Sequence, residues 1–112
     1  MKLINLTPHR IVLFSEDGQT ELAAFESEGV TRAAMQTTPV QVDGFPYRLT
    51  SNTYGEVEGL PEYADGVYYI LSALTVSAAK AHGRKTDDLL ITSDPVRDDQ
   101  GRIIGCKAFA LM

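Results

Sequence analysis

Two guanidinium groups flank one tight turn late in this chain: Arg97 and Asp98 precede Asp99-Gln100-Gly101, and Arg102 follows it. The planar fork of an arginine matches two oxygens at once, so such a pair can clamp a phosphate or a carboxylate. The plainer reading spends the same charges on Asp94, Asp98 and Asp99 in surface pairs worth little. Ser72 stands directly before a helix-favouring stretch, where a hydroxyl and free backbone N–H groups can meet an anion. No glycine-rich loop precedes it, and an ordinary helix N-cap uses the same residue.

His9, after Thr7-Pro8, and His82 are the only imidazoles. A hydrolytic site needs one of them beside a nucleophile and an orienting acid, and no glycine-flanked serine elbow accompanies either. Each therefore reads first as a capping or surface residue. Glu56, Glu58 and Glu62 lie between Tyr54 and Tyr63 in a glycine-rich stretch. Carboxylates so placed serve as acid and base, or hold a hard cation, only where a pKa is raised or several oxygens converge. A solvated acidic rim is the simpler reading, yet a loop of this length usually binds something, which keeps Tyr54 and Glu56 in view. Cys106 sits in a strand-like run and reads as a buried, inert thiol. The candidate ligand-binding residues are thus Arg97, Asp98, Arg102, Ser72, Tyr54, Glu56 and His9. No catalytic residue, metal site or cofactor is assigned.

The 112 residues suit one domain, since two cores of half that length would each be too small to stand unaided. The apolar fraction of 44% with 22% charged residues is that of a globular chain, and the expected radius of gyration is about 13 Å. A net charge of -5 repels polyanions, so broad nucleic-acid binding is not expected. The charge is uneven: residues 1 to 65 hold ten acids and four bases, whereas residues 66 to 112 hold five acids and six bases. An anion is better sought in the second half. A single cysteine excludes an internal disulfide and a cysteine-based zinc site, which suits a reducing compartment. The apolar run at Leu3-Ile4 is too short for a signal peptide, and no stretch approaches a membrane span. A cytoplasmic protein with no membrane partner is expected.

Strands are expected at Leu3 to Leu6, Arg10 to Phe14 and Thr20 to Phe25, with Thr7-Pro8-His9 and Ser15 to Gln19 as breaks. Val30 to Gln36 alternates as a further strand, and Thr37 to Thr53 reads as a loose hairpin around Asp43-Gly44-Phe45-Pro46. Residues 54 to 66 hold three glycines and a proline and read as an ordered loop, pinned by Val57, Leu60 and Tyr63. Val67 to Leu71 is a strand that runs into a helix over residues 73 to 82, with Ser72 as N-cap and Gly83 as the C′ residue. Leu89 to Thr92 is the next strand, and Val96-Arg97 with Ile103 to Ala110 forms a hairpin about Asp98 to Gly101. The fold class is therefore α+β: a mainly antiparallel, twisted sheet or partial barrel of six or seven strands with one principal helix. One helix cannot cover such a sheet. Either the sheet curls on itself or a second copy covers it, and a homo-oligomer is expected.

Four strings together, Asn5-Leu6-Thr7-Pro8-His9, Tyr54 to Pro61, Tyr69 to Leu74, and Val96-Arg97-Asp98 with Gly101 to Cys106, resemble a family of small proteins of bacteriophages, prophages and bacteria. The resemblance covers most of the chain and is weakest at residues 26 to 53. It implies a bacterial host cytoplasm and an accessory role, and brings no assigned chemistry. The expectation that follows is a non-catalytic accessory protein that binds a host protein or a small anionic ligand such as a nucleotide. The alternatives are a small hydrolase or lyase using His9 or the Glu56 loop, and a structural assembly subunit.

Overall fold

The computed structural model describes all residues from Met1 to Met112. Its elements follow the apolar runs: β1 (Lys2–Asn5), β2 (Ile11–Phe14), β3 (Glu21–Phe25), β4 (Arg32–Val40), β5 (Leu49–Glu58), β6 (Val67–Ile70), α1 (Ala73–Ala81), β7 (Leu89–Arg97) and β8 (Ile103–Ala110). Six strands form one sheet in the order β1-β6-β7-β8-β2-β3, and β4 with β5 forms a separate two-stranded ribbon.

The sheet is mixed rather than mainly antiparallel. β1 with β6, β6 with β7, and β8 with β2 run parallel, while β7 with β8 and β2 with β3 are antiparallel. The reason lies in the connections. α1 carries the chain back from β6 to β7, and such a crossover yields parallel neighbours where a short turn yields antiparallel ones. The sheet also curls until its ends nearly meet: Asn5 in β1 bridges Ser27, just beyond β3, and the Glu28 N–H donates to the Asn5 carbonyl at 2.8 Å. A nearly closed barrel leaves little edge to protect.

Period-two alternation gives the wall two apolar faces. Ile70 meets Ile11 and Cys106 inside, with Leu3, Leu13, Phe25 and Phe109 around them. Tyr69, Leu71, Leu6 and Leu89 face outward onto Val76 and Ala79 of α1. Each such aliphatic side chain taken fully from water contributes roughly 1.5–3 kcal/mol. α1 starts where Ser72 accepts from the Thr75 N–H and ends at His82, with Gly83 and Arg84 N–H groups donating to the Lys80 and Ala79 carbonyls. Its bounds agree with the sequence to within a residue.

Two local expectations need correction. Tyr54 to Glu58 is not loop but the second half of β5, paired with β4 as far as Arg32–Glu58. Gly55 makes this possible, since a Cβ there would lie 3.3 Å from that of Ala34; the glycine marks close strand approach, not a break. Likewise β7 runs unbroken from Leu89 to Arg97. Asp94, at φ 60, makes no rung of its own, but Pro95 pairs with Cys106 directly after it, and the register shifts only between Val96 and Arg97.

The ribbon sets the outline of the molecule. From Met35 to Thr53 every residue except Leu49 is exposed, and the extents are 54 × 38 × 20 Å. The radius of gyration is 17.0 Å, against about 13 Å for a compact chain of this length.

Candidate functional site

The Asn5 side chain is wholly buried, and all of its hydrogen-bonding capacity is used within the protein. Its Oδ1 accepts from the N–H and hydroxyl of Thr7 at 2.9 and 2.7 Å, and its Nδ2 donates to the carbonyls of His9 and Phe25 at 2.7 and 2.9 Å. An Asn that turns the chain onto its own side chain is the signature of an Asx-turn. It fixes the Thr7-Pro8-His9 break as a rigid corner against the open end of the barrel.

That corner, the junction of β6 with α1 and the first half of β8 enclose a cleft of about 650 Å³. Ile11, Val12, Leu71, Ile103 and Ile104 supply apolar wall, while Thr7, His9, Arg10, Ser72 and Thr92 supply polar groups. A concave, mainly apolar site with a few polar groups, of this size, is what small-molecule pockets look like. Ile103 and Ile104 are exposed at 61% and 46%, apolar surface left open at the rim. Arg10 donates to Glu26 at 2.7 Å on the outer side. Both side chains of that pair are largely exposed, so it is easily exchanged.

His9 and Ser72, distant in sequence, therefore share one cleft. Ser72 is committed: its Oγ lies 2.7 Å from the Thr75 hydroxyl and accepts from the Thr75 N–H at 3.3 Å. The His9 imidazole makes no hydrogen bond within the protein, while its carbonyl serves Asn5. Cys106 closes the floor. It is 3% exposed, and burial pushes its thiol above the ordinary range, so it lacks the electropositive surroundings of a reactive thiolate.

The arginine turn adjoins this cleft at Ile103 but contributes no lining residue to it, and is largely self-contained. Asp98 Oδ1 accepts from the N–H groups of Gln100 and Arg102, Asp98 Oδ2 from Arg102 Nε at 3.2 Å, and the Gly101 carbonyl from Arg97 Nη1 at 2.8 Å. The Arg102 N–H first, then that of Gln100 and the Arg102 guanidinium, hold the Asp98 carboxyl below its usual range. Both guanidiniums are thus directed at the turn that carries them, and a clamp would require them to let go.

Tyr54 and Glu56 fall at a third place, on β5 against the end of α1. His82 Nε2 lies 2.8 Å from the Tyr54 carbonyl, and Glu56 lines a groove of about 270 Å³ with His82 and Arg84. Arg84 is engaged. It forms a two-pronged pair with Asp88 at 2.7 and 2.9 Å, and donates to the Pro61 carbonyl at 2.9 Å. The seven candidate residues hence divide among three separate places. Sequence reading missed Asn5, Thr92 and the isoleucine pair. The Asn-x-Thr-Pro order was the available signal for the first, whereas the others show only once β7 and β8 lie beside the corner. No three His, Cys, Asp or Glu side chains gather as metal ligands would, and no helix is long and apolar enough to cross a membrane.

Comparisons with protein-family models, curated proteins and solved structures give no match.

Proposed function

We propose that this is a non-catalytic binding protein whose ligand is a small molecule with an apolar body and an anionic group, a nucleotide being the model case. The cleft of about 650 Å³ beside His9 and Ser72 carries this reading. The open side chains of Ile103 and Ile104, with the largely buried Ile11, Val12 and Leu71 behind them, offer the apolar surface for such a body, and His9 and Arg10 at the rim offer donor groups for its charged end. The site belongs to the corner fixed by Asn5 and to regular elements, so it is pre-formed, which lowers the ordering cost of binding. The strings at residues 5–9, 69–74 and 101–106, part of the resemblance to small phage and prophage proteins, contribute lining residues to this cleft. That supports an accessory role in a bacterial host cytoplasm.

The hydrolytic alternative draws less support. It needs His9 bonded to a nucleophile, whereas the Ser72 hydroxyl is engaged by Thr75. Glu56, the other proposed acid or base, stands in a different groove.

Native mass spectrometry of the freshly purified protein, followed by thermal unfolding with a panel of nucleotides, tests the proposal. A ligand at about a hundred times its Kd stabilises the folded state by roughly 2.7 kcal/mol. Ile104→Glu, at an exposed rim position, should abolish that shift by placing a like charge against the anion. A panel with no shift, or a shift that Ile104→Glu leaves intact, sinks this reading.

A further inference from the structure

The curled sheet removes the original reason to expect self-association, because the barrel buries its own inner face. The ribbon supplies a different one, independent of the cleft. We infer that the outer edge of β5, between Leu49 and Thr53, pairs antiparallel with the same edge of a second copy of this chain.

Four observations converge on that edge. A two-stranded ribbon projecting into water is marginal by itself and needs a third strand or a packed face, and residues 35–53 have neither. The accessible surface is 7692 Å², about 1,600 Å² more than a folded monomer of this mass exposes. A standard interface removes about 800 Å² from each partner, so the excess is enough for a stable dimer. The chain as a whole carries -5, yet residues 35 to 55 hold only Asp43 and Arg48, so two ribbons approach without net repulsion. Finally, the two edges differ. β4 has Pro39, a common way of blunting an edge, whereas Leu49-Thr50-Ser51-Asn52-Thr53 has neither proline nor charge. His82 occupies the β5 backbone at Tyr54, which sets the root of the free stretch.

A two-fold axis near Ser51 makes the contact self-complementary, setting Leu49 of one copy against Thr53 of the other. The exposed Phe45–Tyr47 pair, edge-to-face at 6.0 Å, then reaches toward the root of the neighbouring ribbon and gains apolar cover there.

Light scattering on the full chain at micromolar concentration, with hydrogen exchange on the same samples, tests this. The expected result is a particle of twice 12.2 kDa, with the outward-facing amides of residues 49–53 slowed at least about tenfold and released on dilution. Neighbouring strand residues aim their N–H groups at opposite edges, so of Ser51→Pro and Asn52→Pro one removes only an outward donor and should give a folded monomer. A monomer throughout overturns the inference and leaves the ribbon to a partner of other chemistry. So does a dimer whose 49–53 amides exchange freely. If both proline variants fail to fold, the exchange pattern of the unaltered chain still decides.

Discussion

Asn5 and Phe25 are joined by a hydrogen bond of 2.9 Å from the Nδ2 of one to the carbonyl of the other, across twenty residues of chain. The barrel closes where this bond is made. It ties the end of β1 to the end of β3, the two outermost strands of the sheet, while the other bonds of the same side chain hold the corner at Thr7 to His9.

Removing that side chain should open the seam. Asn5→Ala takes the Asn5 partner from the Phe25 carbonyl and the Thr7 N–H, and leaves the His9 carbonyl with the Thr7 hydroxyl alone. The expected loss is roughly 2–4 kcal/mol, read as a lowered urea midpoint with an unchanged slope. Asn5→Asp separates donor from acceptor loss. Its carboxylate still accepts from Thr7 but turns a negative charge on two carbonyl oxygens. It should therefore be at least as damaging near neutrality, and part of the loss should return in acid, when the protonated group can donate once. An Asn5→Asp protein as stable as the parent at neutral pH contradicts this account.

The Arg84–Asp88 pair makes a second, quantitative case. Asp88 is 2% exposed, and the hydrogen bonds and charge of its carboxylate raise the already high pKa of Arg84. Breaking a pair buried on one side strands the charge that stays behind, at a cost of about 3 kcal/mol or more. Arg84→Ala should thus unfold at markedly lower urea. Adding Asp88→Asn to it should recover a good part of the loss, because a neutral amide is cheaper to bury than an unpaired carboxylate. Equal stability of the single and double variants would show that the charge is not what Arg84 compensates.

Gly105 is required by close approach rather than by backbone angle. β2 and β8 meet through a single parallel rung, Leu13 with Cys106, and a Cβ at Gly105 would stand 2.6 Å from the Val12 carbonyl oxygen and 2.5 Å from Phe14. The carbonyl is backbone and cannot rotate away. Gly105→Ala should separate the strands at their weakest seam and cost roughly 1–3 kcal/mol. Amide exchange in β2 should rise before that in β6, and uniform change across the sheet would argue against a local effect.

Local signals made much of this fold readable. Ser72 and Gly83 bracket α1 because capping depends on a few neighbouring residues, and the turn at Asp98 to Gly101 follows the same logic. What the sequence hid was long-range. Strand direction depends on which elements become neighbours, so the parallel pairs in β1, β6 and β7 left no trace in alternation. Gly55 looked like a breaker because nothing nearby announces Ala34 across the ribbon. The cleft was half visible: His9 and Ser72 stood out by type, but Ile103 and Ile104 read as ordinary strand residues until the closed sheet set them beside the corner. The arginines of the 97–102 turn misled for the opposite reason, since their chemistry is conspicuous while their partners lie in the same turn.

The pH dependence of stability should carry the mark of Cys106. Burial raises its thiol pKa in the folded protein, while the unfolded chain titrates near 8.5. A folded pKa above the unfolded one means that the folded state holds the proton to higher pH. The contribution is therefore full below the unfolded value and lost as pH rises through the folded one. Cys106→Ala removes this titration, so the urea-midpoint gap between parent and variant should narrow as pH rises above about 8.5. Around that pH an alkylating reagent should modify the native thiol far more slowly than the thiol in urea, since only the thiolate attacks. A native rate equal to the unfolded one at pH 8 would mean that the cleft floor is open to solvent, and that Cys106 is not the packed residue joining β8 to Ile11 and Ile70.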